Sequence, residues 1–313
     1  MFTYVIRRIA MVPIVLLVVV TIVFFAMRMV PGGPAYALLG SYASAEAVRQ
    51  LEIELGLDRP VWEQYGSFLN DLLHGDLGTS IFNGRPVGPE LARAFPYTGA
   101  LCLATIVWGL LLGVPLGALT AVRRNSFWDY TGRVVSLLGL TVPPFYLAIL
   151  LIVAFSLKLK IFPMIGGGEL SNPLDFLHHL VLPSLTNGIV MSAFVSRTVR
   201  ASLLEVLSSD YVRTARSKGL REGHVLVRHA MRNALIPTVA FLGVYMTLLL
   251  GGAVVVEVVF SRTGWGRVLV NAMKQRDFPV LQVGLMLFSA IVVAVNLLVD
   301  MVYAYIDPRI RYS

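Results

Sequence analysis

Six stretches of this chain run for about 20 residues or more without a single Asp, Glu, Lys or Arg, and stretches of that kind fold as helices that cross a bilayer. They cover residues 9–27, 94–122, 134–157, 176–196, 233–256 and 278–299. The fourth is the most polar. It opens on His178 and His179 and holds Ser184, Thr186, Asn187 and Gly188 at its centre, so its membrane part starts nearer Leu180. With 57% hydrophobic and 14% charged residues over 313 positions, the chain has too little polar surface to cover a water-soluble globule. The expected fold class is therefore an all-α integral membrane protein with six transmembrane helices. The first stretch follows Arg7 and Arg8 as a signal peptide would, but it is longer than a usual signal core. The following Arg28-Met-Val-Pro-Gly-Gly lacks a small-x-small cleavage site, so it reads as a retained span.

Orientation follows from the basic residues beside the spans, because short loops rich in Lys and Arg stay in the cytosol. Arg7 and Arg8, then Arg123, Arg124 and Arg133, then eight residues from Arg197 to Arg232, then Arg309 and Arg311 all fall on one side. Both termini are thus expected in the cytosol. Residues 1–30 form a first region with the first span, and residues 31–93 an extracytoplasmic segment with eight acidic and four basic residues. Residues 94–313 form a core with the other five spans. The net charge of +8 is spread between apolar runs rather than gathered on one aromatic-studded face, which excludes nucleic acid as a partner. The one cysteine, Cys102, sits inside an apolar run, leaving no disulfide framework or thiolate metal cluster.

Within the spans, Gly109, Gly113 and Gly117 recur at every fourth position and form one helix face suited to close backbone packing. Pro115 and the pair Pro143 and Pro144 remove backbone donors in mid-span. Two carboxylates touch the apolar runs: Glu257 near the outer end of the fifth and Asp300 near the inner end of the sixth. Charge at such depth is costly, so both are candidates for a translocation path, with hydration or pairing at the interface as the alternative. Adjacent His178 and His179 cannot share one helical face, which argues for an interfacial role and against a metal site.

The most informative segment is the basic loop between the fourth and fifth spans, within residues 205–232. Ser209 or Asp210 is placed to cap a short helix on which Tyr211, Val212 and Ala215 share a face, and Gly219 follows where that helix would stop. A second helical run starts near Glu222 and leads into the fifth span. A helix-turn-helix of this kind offers a rigid knob to a cytosolic partner.

These residues resemble the permease subunits of bacterial ABC importers of the dipeptide, oligopeptide and nickel family. Such permeases carry a cytosolic motif of the form Glu-Ala-Ala, three residues, Gly, nine residues, Ile-x-Leu-Pro. The chain matches it at Ala215 and Gly219. Arg213 and Thr214 stand in place of the Glu-Ala pair, and His229, Met231 and Arg232 in place of the Ile and Leu-Pro. The peptide branch has its own form of the loop, which the run Asp210-Tyr211-Val212-Arg213-Thr214-Ala215-Arg216-Ser217-Lys218-Gly219-Leu220 resembles closely, as does Arg228-His-Ala-Met-Arg-Asn-Ala-Leu-Ile-Pro237. The likeness extends to Tyr4-Val-Ile-Arg-Arg, Leu55-Gly-Leu-Asp-Arg-Pro60, His74-Gly-Asp-Leu-Gly78, Asn296-Leu-Leu-Val-Asp300 and Asp307-Pro-Arg-Ile-Arg-Tyr312.

The resemblance implies a type I permease fold in the bacterial cytoplasmic membrane, with Tyr211 to Leu220 as the ATPase-coupling loop. It implies as partners a second homologous permease, one or two cytosolic ATPase chains and an extracytoplasmic solute-binding protein. Transport of peptides would proceed by alternating access. The chain has no Gly-x-x-x-x-Gly-Lys-Ser/Thr loop, so it is expected to be no enzyme, with ATP and magnesium held by the partners. Two other classes compete. A gradient-driven secondary transporter would need mid-membrane acids or matching halves, and an intramembrane protease would need a nucleophile with its base or a His-Glu-x-x-His helix. The sequence offers neither set. A nickel chelate or another small solute remains an alternative cargo.

Overall fold

The computed structural model describes residues 2–29, 39, 44–54 and 56–306, with side chains given for most of them. Asp300 and the ending at residues 307–312 lie outside the described residues, apart from the helical backbone at position 300. Among the described residues five helices are long and apolar enough to cross a membrane: Ile9–Arg28, Val87–Val122, Pro173–Leu207, Ile236–Val259 and Phe278–Val299. A sixth crossing exists only if Phe127–Thr141 and Pro144–Lys158 count as one span, for the chain bends there by 105°. The crossing expected for residues 134–157, with its two mid-span prolines, is broken at them. Val142 and Pro143 are extended, and Pro143 and Pro144 supply no donor to the preceding turn, so the helix cannot continue through them. Pro115, by contrast, leaves its helix unbroken.

The chain divides into two compact units, 1–96 with 264–313, and 97–263. In the first, α1 (Phe2–Arg28) packs along α11 (Phe278–Ile306), and α10 (Trp265–Gln275) packs on α11 as well. Val87, Leu91, Leu269, Val283 and Met286 form its core. Between α1 and the start of α4 (Val87–Val122) lie α2 (Ala45–Glu54) and α3 (Val61–Leu73). Fully buried Phe24 meets Tyr65 and Phe68 of α3. Thr21 and Tyr65 share a 2.6 Å hydroxyl contact, and Arg28 Nε donates to Gln64 Oε1 at 2.9 Å. Farther on, Asp277 accepts from the Ser80 hydroxyl and from the Ile81 amide, which ties the chain ahead of α4 to the start of α11.

The second unit is built around α7 (Pro173–Leu207), which packs against α5 (Phe127–Thr141), α6 (Pro144–Leu151) and α9 (Ile236–Val259). In its most apolar window 67% of the residues are buried, against 11–33% for the other four continuous spans. That explains its polar composition. Ser184, Thr186 and Asn187 face protein rather than lipid, and the two hydroxyls donate to the carbonyls of Leu180 at 2.7 Å and Leu182 at 2.8 Å. The glycine stripe of α4 sits on this helix. A Cβ at Gly113 would lie 2.7 Å from Ser192 O, and one at Gly117 would lie 2.6 Å from Ser196 O, so no larger residue fits while the two backbones stay this close. Met191 crowds Gly109 in the same way.

Candidate functional site

At the end of α7 the chain makes a compact knob. Helix α8 (Asp210–Ser217) starts after Ser209, but the Ser209 hydroxyl donates back to Val206 O at 2.5 Å and caps nothing in α8. The expected side-chain cap is therefore absent. Val212 is fully buried and Ala215 nearly so, both against Val225 with Val206 and Leu207 alongside. Tyr211 does not share that face. It is 44% exposed, and its hydroxyl accepts from Asn233 Nδ2 at 2.8 Å. Gly219 turns the chain with φ of +77°, a conformation that would cost an L residue about 1 kcal/mol, and a Cβ there would meet nothing. Across this turn Arg216 donates Nε to Glu222 Oε1 at 2.9 Å and Nη2 to Oε2 at 3.3 Å.

The second helical run begins at Glu222 and then widens. Residues Val225–Ala230 wind as a π-helix before the chain returns to α-geometry ahead of α9. Sequence pattern cannot announce such a segment, because the apolar positions Val225 and Ala230 suit either winding. The knob thus holds its buried side with small and branched residues, and it presents Tyr211, Arg213, Lys218 and Leu220 outward. An exposed aromatic and leucine within a basic surface suit a partner groove with an apolar floor and acidic walls.

Beside the knob, the same end of the second unit encloses an open-sided cavity of about 990 Å³. Arg133, Ser136 and Leu137 of α5 line one wall, and Phe194, Ser196, Arg197, Thr198, Arg200, Ser202 and Glu205 of α7 line another. Arg200 is held by Asp129, a fully buried carboxylate that takes its Nε at 2.9 Å and its Nη2 at 3.0 Å. Asp129 also accepts from the Asn125 amide at 3.0 Å, and Arg133 Nε lies 3.4 Å away. Ser136 and Ser196 join α5 to α7 through a 2.8 Å hydroxyl contact.

The opposite end of this unit carries a second charged cluster. Glu257 is fully buried and accepts from the Thr98 hydroxyl at 2.6 Å. Arg262, equally buried, donates Nη1 to the carbonyls of His179 at 3.3 Å and Gly167 at 3.4 Å, and its guanidinium stands over the rings of Tyr97 and Phe176. Burial pulls Arg262 down to about 10 while the neighbouring Glu257 charge acts in the opposite sense, so it remains a cation at neutral pH. Within this chain Glu257 is wholly enclosed. His178 Nε2 lies 2.7 Å from Ile161 O, and His179 Nδ1 2.9 Å from Asp175 O. Among the described residues no metal-binding group of His, Cys, Asp and Glu forms. Asp129, Arg200, Thr98 and Arg262 were not singled out from sequence, since their partners stand far along the chain, 71 positions away for Asp129 and Arg200.

Comparison with known proteins matches residues 113–312 to the family described as binding-protein-dependent transport system inner membrane component. Residues 1–102 match the N-terminal part described for such membrane components. The glutathione transport system permease protein GsiC of Pectobacterium atrosepticum is 42% identical over the full length of both chains. That of Escherichia coli strain K12 is 39% identical, again over all of both. Among solved structures, the inward-facing MetNI methionine ABC transporter aligns with a TM-score of 0.59 at 18% identity, covering 70% of this chain and 96% of that one. An amino acid ABC transporter with histidines aligns at 0.52 and 15%, covering 71% and 95%. At these identities the structural likeness supports the fold alone.

Proposed function

We infer that this chain, which belongs to the family of binding-protein-dependent transport system inner membrane components, is the permease subunit of an ABC importer for short peptides of the glutathione type. Membership implies ATPase and binding-protein partners and a place in the inner membrane. The cargo class rests on relatives at 39–42% identity whose names give glutathione.

The observation that carries the energy source is the knob. ATP-binding sites lie on the partner ATPases, so closure of those subunits must reach the spans through a contact. The residues Tyr211 to Leu220 are built to receive it: their buried side is packed on the base of the next helical run, and Tyr211 and Leu220 stand exposed for a partner. A push on α8 passes through Val212 and Ala215 to Val225, and from there into the chain leading to α9. A second homologous permease completes the pore, one or two ATPase chains drive it, and the segment 31–93 offers its acidic surface to the solute-binding protein.

The test is purification of the tagged chain from its native membrane in mild detergent, in wild-type form and as Tyr211→Asp and Leu220→Asp. We expect the ATPase and a second permease to accompany the wild type, and the ATPase to be lost from both variants while the second permease stays. A chain that purifies with no ATPase in any form would overturn the importer reading, and equal ATPase recovery from all three would overturn the role of the knob.

A further inference from the structure

The cavity beside the knob is lined for a ligand that lipid cannot supply from its tails. In a chain with 57% hydrophobic residues, its walls bring together three guanidinium groups and several hydroxyls, and an acyl chain would leave the exposed Arg197 guanidinium without a counter-charge. Its volume of about 990 Å³ stands at the upper end of small-molecule sites, enough for a tripeptide with water.

The charges within it are not equivalent. Arg200 is neutralised by the two-pronged contact with Asp129, which fixes its position. Arg133 lies 3.4 Å from the same carboxylate, with its side chain 46% exposed. Arg197 is exposed and its side chain forms no ion pair or hydrogen bond among the described residues. Set against Asp129 and Glu205, the three arginines leave the cavity with surplus positive charge, and Arg197 is the group most available to an incoming ligand. Topology alone accounts for arginines at the cytosolic ends of spans. It does not account for their convergence on one open cavity, nor for the buried carboxylate that holds Arg200 in the wall. A guanidinium with hydroxyls nearby is the usual receptor for a carboxylate, which it binds through paired N–H donors.

We propose that this cavity is a carboxylate-binding vestibule on the route of the cargo to the cytosol, so that the permease itself favours peptides carrying surplus negative charge. The proposal rests on the importer reading and adds a selectivity that does not depend on the binding protein. An anionic lipid headgroup offers the same oxyanion chemistry, and the experiment separates the two sources.

The complete transporter is reconstituted in proteoliposomes with saturating binding protein. The turnover of Ala-Glu-Ala is divided by that of Ala-Gln-Ala, for wild type, Arg197→Gln, Arg197→Glu and Arg133→Gln. We expect the ratio to fall about three- to tenfold in Arg197→Glu, and less in Arg197→Gln and Arg133→Gln, as suits the loss or reversal of one charge in a hydrated cavity. Active ATP-driven uptake with the same ratio in all four forms would overturn the proposal. So would a ratio indifferent to Arg197 while turnover of both peptides tracks the phosphatidylglycerol content of the vesicle, the mark of a lipid headgroup in the cavity. Failure of wild type to take up either peptide with ATP would instead remove the importer reading, and the vestibule with it.

Discussion

The two ends of helix α7 hold the same kind of charged residue under opposite conditions. Near its start, Arg262 is packed against His179 O with no exposure, between two aromatic rings and beside buried Glu257. Near its end, Arg197 is open and unpaired among the described residues, and Arg200 is tethered by a buried carboxylate yet still borders a cavity. About 30 Å of helix separates His179 from Arg200. At the first end charge joins segments: Arg262 holds the Gly167 loop to α7, and Thr98 holds Glu257 to α4. At the second end one carboxylate fixes a wall and the remaining charge stays open. Buried ions are kept where removing one partner strands the other, and exposed ions add little to stability. The contrast therefore separates charges that hold the unit together from charges that are left open beside the cavity.

The sharpest way to break this contrast is Arg262→Ala, which removes a fully buried guanidinium from the carbonyls of Gly167 and His179 and from between the rings of Tyr97 and Phe176. We expect a loss of about 3 kcal/mol, read as a lowered unfolding midpoint of the purified chain, against a change within about 0.5 kcal/mol for Arg197→Ala. Comparable losses for the two would erase the distinction. Asp129→Ala comes next, at about 2 kcal/mol, because it strands a partly exposed Arg200 and unties α5 from α7. Thr98→Val should cost about 1.5 kcal/mol by removing a hydrogen bond to a buried carboxylate, with Thr98→Ser recovering most of it. The smallest effect on stability belongs to Arg216→Ala, below about 0.5 kcal/mol since the Glu222 pair is exposed. Its consequence should appear instead as weaker ATPase stimulation by loaded binding protein, because the turn at Gly219 loses its brace.

Much of the architecture was legible in the sequence because bilayer physics leaves few options. Charge-free stretches mark spans, and arginines mark their cytosolic ends. The broken third crossing was legible in its cause, the Pro143-Pro144 pair, but not in its 105° bend, which depends on what packs around it. The polar centre of 176–196 made it the weakest span by hydropathy. It proved the most enclosed, since residues such as Thr186 and Asn187 are tolerated only where protein replaces lipid. The knob's position and the turn at Gly219 followed from pattern. Its missing Ser209 cap, outward Tyr211 and π-wound segment did not, because each is decided by tertiary contacts rather than by spacing. The charged clusters at Asp129 and Arg262 were hidden for the same reason: no local pattern joins residues that meet across helices.

The most direct measurement compares two energy sources in one vesicle. The chain is reconstituted with its second permease, its ATPases and loaded binding protein, and peptide uptake is followed with ATP inside and no ion gradient, then with a gradient and no ATP. We expect uptake only with ATP, and its collapse in Leu220→Asp. Uptake driven by the gradient in the absence of ATP, and unaffected by Leu220→Asp, would contradict the reading of this chain as an ATPase-coupled permease.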